Sequence, residues 1–187
     1  MGDRSVTRNC GPDLVRVGAG LPVAAYRDEI TTALHGGRAV IVAPPGTGKT
    51  TFVPPLVASR CSGRVIVTQP RRVAARAAAR RLAALTGTRP GEFASHTVHG
   101  ESTTTRDTKV EFVTTGVLLR RLLSDPDLTG VDAVVLDEVH ERHLDADLVV
   151  AMVCEVAQLR DDLTIVAMSA TCLLYTSDAA DDLLCVD

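Results

Sequence analysis

Eight residues, Ala43-Pro44-Pro45-Gly46-Thr47-Gly48-Lys49-Thr50, stand between an apolar run, Arg38 to Ala43 (RAVIVA), and a stretch of helical character that begins at Lys49. A turn this rich in Gly and Pro, with a strand before it and a helix after it, leaves few folds open. The framework that delivers those three pieces in order is a parallel sheet covered by helices. The octet fits the phosphate-loop pattern with Ala in place of the first Gly. In that chemistry Pro45, Gly46, Thr47 and Gly48 let backbone amides curl around phosphates, and the helix N-terminus adds a favourable dipole. Lys49 then reaches the β- and γ-phosphates of a nucleotide, and the Thr50 hydroxyl ligates Mg²⁺. The competing reading is a Gly/Pro turn with an incidental lysine. Basic-residue usage argues against it, because the chain holds 18 Arg and only 2 Lys, and one of the two stands here.

The rest of the chain alternates short β-branched runs with longer helical stretches, the pattern of an α/β domain with a mostly parallel sheet flanked by helices. Leu21 to His35 reads as a helix: Val23, Tyr26, Ile30 and Leu34 share a face, Pro22 suits the first turn, and Gly36-Gly37 ends it. The helix from Lys49 is expected to be kinked or shortened by Pro54-Pro55. Arg64 to Thr68 is a strand, and Val73 to Leu85 a helix ended by Gly87. Phe93 to Val98 is a weaker strand and Lys109 to Thr114 a clearer one, followed by a helix from Gly116 to Ser124. Ala133 to Leu136 and Leu163 to Met168 complete the strands. Leu144 to Leu159 is apolar nearly all round, which predicts a helix buried on several sides. No internal repeat or inter-domain linker is visible, so residues 21–171 read as one domain, preceded by a flexible segment 1–20.

Several function classes are set aside by composition. The first twenty residues lack an apolar core of the signal-peptide kind, and the longest apolar run, Leu148 to Cys154, is too short for a membrane span. The cytoplasm is the expected location. The five cysteines are scattered with no CxxC pair, which speaks against a zinc site or a disulfide framework.

A second chemical group stands at the end of the apolar strand AVVL: Asp137-Glu138-Val139-His140. An aspartate at the carboxyl end of a strand can hold Mg²⁺ opposite Thr50. Glu138 can orient and deprotonate a water that attacks the γ-phosphate, and His140 can sense that phosphate. Taken alone, DEVH reads equally well as a polar turn ahead of a helix, with its acids placed for the dipole.

With APPGTGKT upstream, DEVH resembles the DEAH branch of superfamily-two helicases, and other pieces follow in that family's order. Thr68-Gln69-Pro70-Arg71-Arg72 resembles motif Ia, Thr114-Thr115-Gly116 with Val117-Leu118-Leu119-Arg120 resembles motif Ib, and Ser169-Ala170-Thr171 resembles motif III. The opening LPVAAYRDEI is similar to the bacterial HrpB type. The match runs from about Leu21 to Thr171. It departs from the pattern at FASHTVHGES, where His96 and His99 stand in place of an aromatic and an Arg. The resemblance implies a RecA-like P-loop NTPase domain that takes ATP and Mg²⁺ and serves an ATP-dependent RNA helicase. A non-helicase P-loop ATPase or a DNA translocase is the alternative.

By the same resemblance, Arg71, Arg72, Thr114, Thr115 and Gly116 hold the backbone of a single nucleic-acid strand, RNA in that family. Ser169, Ala170 and Thr171 couple hydrolysis to movement against a second RecA-like domain in cis. That domain is missing from this chain, so residues 1–171 are expected to bind ATP–Mg²⁺ and turn over very little. Arg72, Arg76 and Arg80 also form a stripe four residues apart, better read as a solvated helix face. After Thr171 the character changes. CLLYTSDAADDLLCVD holds four Asp and no Lys or Arg, against a net charge of +1 for the residues before it. Cys172 to Asp181 and Cys185 to Asp187 match the translation of a transposon-end sequencing adapter, so residues 172–187 are expected to be non-native.

Overall fold

The computed structural model describes residues 12–141 and 143–170, together with the backbone of 183–185. Its strands are β1 (Arg38–Val42), β2 (Arg64–Gln69), β3 (Ala94–Val98), β4 (Glu101–Ser102), β5 (Val110–Thr114), β6 (Val131–Leu136), β7 (Thr164–Ser169) and β8 (Leu183–Cys185). They form one sheet in the order β4-β3-β5-β2-β6-β7-β1-β8. Every neighbour pair is parallel except β3 with β4. This is the α/β architecture that the alternating pattern implies. β8 lies within the acidic tail and pairs with β1, whose outer edge offers unpaired backbone groups to any extended segment.

Alternation along each strand divides the core in two, as side chains on a strand must point to opposite faces. Val65 and Val67, Ala133 and Val135, and Phe112 face one side. There they meet α1 (Leu14–Gly18), α2 (Arg27–Ala33), α3 (Lys49–Ala58) and α4 (Arg72–Thr86). Ile66, Val113, Val134 and Leu136 face the other side and pack on α5 (Thr115–Ser124) and α6 (Leu144–Leu159). Each fully buried Val, Ile, Leu or Phe in these layers contributes roughly 1.5–3 kcal/mol.

Four expectations are corrected. Residues 1–11 lie outside the described residues, but 13–18 are built into the fold rather than flexible. Asp13 caps α1 through Val15 N and Arg16 N, and Leu14, Val17 and Gly18 are buried. A Cβ on Gly18 would stand 2.8 Å from Phe52, so the missing side chain is what lets α1 approach α3. The single helix expected over 21–35 is three pieces, a 3-10 turn Pro22–Tyr26, α2 and a 3-10 turn Leu34–Gly36, because Tyr26 leaves helical geometry at φ −99°, ψ 24°. The helix at Lys49 neither stops nor shortens at Pro54-Pro55. It continues to Ala58, and burial of Phe52 through Ala58 offsets the two missing N–H bonds. Finally, α6 buries only Val149, Val153 and Ala157, while Leu144 and Leu159 on its outer face are each 84% exposed. An all-round apolar composition therefore marks here a helix covered on one side. No helix among the described residues is long and apolar enough to cross a membrane.

Candidate active site

The loops after β1, β2, β5, β6 and β7 leave parallel strands at their carboxyl ends, so all five emerge at one rim of the sheet. After β1, the chain turns through Gly46 at φ 82° and Gly48 at φ 94°, a backbone that residues with a Cβ adopt at a penalty. Gly48 has a second constraint, since a Cβ there would come within 2.9 Å of Leu21. Thr47 fastens the turn at both ends: its hydroxyl donates to Pro44 O (2.9 Å) and its carbonyl accepts from Val23 N (3.1 Å). No side chain caps α3; Thr51 N donates to Gly48 O (3.0 Å), and the amides of Lys49 and Thr50 are placed for an anionic guest.

Lys49, in the first turn of α3, is buried, and its Nζ donates to Ala43 O and to Pro44 O (3.1 Å). Burial pushes its pKa down, opposed by the charges of Glu138 and Asp137. Both acids come from the end of β6. Asp137 Oδ2 accepts from Thr50 Oγ1 at 2.6 Å, across 87 positions of sequence, and also from Gln69 Nε2. Its Oδ1 accepts from Glu138 N (2.9 Å), and its own N–H donates to Thr68 Oγ1 (3.2 Å). Burial pushes the Asp137 carboxyl up, the Thr50 bond works against that, and the neighbouring Glu138 charge reinforces it. A buried carboxylate beside a hydroxyl offers two hard oxygen donors and a charge in need of neutralising. Mg²⁺ fits that donor set.

Glu138 sits in the left-handed region at φ 56°, and its carbonyl accepts from Glu141 N (2.9 Å). His140 is held between two loops. Ala170 N approaches its Nδ1 at 3.4 Å, and an amide can only donate, so Nδ1 accepts. The ring proton is then on Nε2, which faces Glu138 Oε2 at 3.2 Å. The Ser169 hydroxyl lies 3.4 Å from the same Nδ1. His140 thus joins the loop after β6 to the loop after β7. Thr171, the last of the expected coupling residues, lies outside the described residues.

The residues assigned to a strand backbone gather on the same rim. Gln69 is paired in register with Thr114, which brings the ends of β2 and β5 together. Arg71 and Arg72 begin α4 and are exposed, whereas Thr114, Thr115 and Gly116 lead into α5. The Thr114 side chain makes no cap to α5. Between these loops and the turn after Asp137 lies a cleft of about 200 Å³ lined by Pro70, Thr114, Thr115, Gly116, Glu138 and Glu141, among others. Of the arginine stripe, Arg76 is tied to Glu101, which in turn receives His96 Nε2 at 2.8 Å.

Residues 26–177 match the DEAD/DEAH box helicase family model. The chain belongs to the DEAD/DEAH box helicase family. It is 44% identical over 155 residues to the ATP-dependent RNA helicase HrpB of Escherichia coli K12, covering 81% of this chain and 19% of that protein. To the ATP-dependent RNA helicase HrpA of Borreliella burgdorferi it is 36% identical, with the same two coverages. The crystal structure of the E. coli DEAH/RHA helicase HrpB superposes with a TM-score of 0.84 at 39% identity, over 90% of this chain and 22% of that one. This helicase domain is therefore RecA-like in fold, and the chain spans about a fifth of the length of those relatives.

Three residues of the helicase domain were not singled out from sequence. Gln69 was read only as part of the nucleic-acid motif, yet it is buried and bonded to Asp137. Glu141 pairs with Arg71 at 3.1 Å. Glu111, fully buried on β5, accepts from Arg121, Arg64 and Thr97. Only Glu111 left a visible signal, a lone acid inside the apolar strand KVEFVT.

Proposed function

We propose that this chain is the ATP-binding half of an ATP-dependent RNA helicase motor. The observation that carries the reading is the meeting of Thr50 and Asp137 at 2.6 Å with the Lys49 ammonium one residue away in α3. Nothing in an ordinary core requires a buried acid, a hydroxyl and an amine from two separate loops at one rim. In this reading the amides of residues 46–50 wrap the phosphates and Lys49 swings from its carbonyls to the β- and γ-phosphates. Thr50 and Asp137 hold Mg²⁺, which when bound offsets the triphosphate charge. Glu138 orients and deprotonates the attacking water. His140, bonded to Glu138 and reaching Ser169 and Ala170, carries the state of that site toward the coupling motif completed by Thr171.

Arg71, Arg72, Thr114, Thr115 and Gly116 contact the sugar–phosphate backbone of a single strand without reading bases. Turnover requires the second RecA-like domain, whose arginines complete the site, and the whole protein works in the cytoplasm. Residues 172–187 we take as adapter-derived; a genomic amplicon encoding them would refute that. The central test is binding of a fluorescent ATP analogue with and without Mg²⁺. Affinity should depend on Mg²⁺ in the native chain and collapse in Lys49→Ala. Mg²⁺-independent binding, or a Lys49→Ala variant that binds normally, would overturn the reading. Comparing anisotropy with RNA and DNA oligomers of one sequence separates the helicase from a DNA translocase.

A further inference from the structure

The guanidinium assigned to a strand phosphate is already engaged. Arg71 Nη2 lies 3.1 Å from Glu141 Oε1, joining residues seventy positions apart. Arg71 precedes α4, at the end of β2, whereas Glu141 stands four residues beyond Asp137. Glu141 has a second attachment, since its amide donates to Glu138 O at 2.9 Å and closes the turn that holds Glu138 at positive φ. It also lines the cleft shared with Pro70, Thr114, Thr115 and Gly116.

We propose that Glu141 is an internal stand-in for a strand phosphate. It occupies Arg71 while no nucleic acid is bound, is displaced when a phosphate arrives, and passes that event to the Glu138 turn. The proposal rests on the assignment of Arg71 to the strand backbone.

Carboxylate and phosphodiester present the same paired anionic oxygens, and one guanidinium fork serves either of them well but not both. The Arg71 side chain is 75% exposed and that of Glu141 30%, so the pair is screened by water and weakly held. A phosphate brings an advantage that the carboxylate lacks, the release of condensed counterions. Once displaced, the Glu141 charge is left in a cleft that already contains Asp137, Glu138, Asp145 and Asp147. Repulsion there drives its side chain outward, and the backbone bond from Glu141 N to Glu138 O gives that movement a short path. Strand binding and the water-activating residue are thereby linked through three positions of chain.

The test is a double-mutant cycle on Arg71→Ala, Glu141→Gln and the pair, read by fluorescence anisotropy of a labelled uridine dodecamer at low salt. Circular dichroism melts report folding, and Glu141→Ser replaces the Gln variant should that one unfold. Arg71→Ala should weaken strand binding. Glu141→Gln should tighten it about two- to five-fold, the range set by breaking one exposed ion pair. In the Arg71→Ala background the same change should do nothing. Equal tightening in both backgrounds would mean general relief of negative charge and would overturn the stand-in. No loss in Arg71→Ala would remove the assignment of Arg71 and the proposal with it. A second arm measures how the dodecamer shifts the affinity of a fluorescent ATP analogue with Mg²⁺. That coupling should shrink in Glu141→Gln, and an undiminished coupling would overturn the link to Glu138.

Discussion

Replacing Glu111 by Gln should remove roughly 3–4 kcal/mol from the stability of this domain. The carboxylate is fully buried in β5, between β2 and β3. Arg121 grips it with both terminal nitrogens at 3.0 and 2.9 Å, Arg64 adds a bond at 3.2 Å, and Thr97 one at 2.7 Å. A glutamine keeps one oxygen for Thr97 and one Arg121 nitrogen, but its amide group meets the remaining arginine donors with donors of its own. Two charge-assisted bonds are lost, at about 1.5–3 kcal/mol each. The two arginine side chains are about a quarter exposed, so water recovers part of the loss and the lower half of the range applies. For a chain of this length, the melting temperature should fall by roughly 6–16 °C.

The pH dependence gives the sign. Burial alone would raise the Glu111 carboxyl, but the bonds from Arg121 and Thr97 and the charge of Arg64 outweigh it and hold it below its ordinary value of 4.5. A lowered folded pKa means the contribution is complete above 4.5 and is lost as pH falls through the folded value. Circular dichroism melts of both proteins from neutral to acid pH check this. A gap under about 1 kcal/mol at neutral pH, less than one such bond, or a gap that persists unchanged into strong acid would refute the reasoning.

Burial raises the Asp137 carboxyl, and the proposed Mg²⁺ site needs its ionised form, so Mg²⁺-dependent binding of an ATP analogue should weaken as pH falls from neutral. Asp137→Asn should abolish both the binding and its pH dependence, and a pH-flat native profile would contradict the argument. Gln69→Leu removes a donor from Asp137 and should lower affinity about ten-fold or more in Mg²⁺ while leaving Mg²⁺-free binding alone. An equal loss with a chelator present would point to simple damage. Gly18→Ala forces a methyl to 2.8 Å from Phe52 and 2.9 Å from Ala24, and should cost about 1–3 kcal/mol in a thermal melt. An unaltered melt would mean that α1 is not packed as described.

The turn before Lys49 and the DEVH run were legible as places at strand ends, because each is written in adjacent residues and the strands before them carry strong β-branched runs. The sheet then brings Thr50 and Asp137 together without further information, since parallel strands send their ends to one rim. What sequence could not show depends on pairs made in space. Gln69 belongs to a motif assigned to nucleic acid, and only the neighbouring position of β2 and β6 turns it onto Asp137. The Arg71–Glu141 pair joins two loops with no local signature. β4 is two residues long, too short for any periodicity to register. Composition misled at α6, where apolar residues all round the helix suggested cover on several sides, and at Pro54-Pro55, where tertiary burial overrides the helix-breaking tendency.

Glu138 carries a side chain in a conformation suited to glycine, with φ at 56°, and such a backbone costs an ordinary residue about 1 kcal/mol or more. A selection for heat resistance alone would therefore favour Gly or Asn at this position, relaxing the turn and discarding the carboxylate. Under the proposed role of Glu138 in activating water, hardiness and turnover pull against each other at a single residue. Libraries screened only for survival on heating should therefore accept Gly or Asn at position 138.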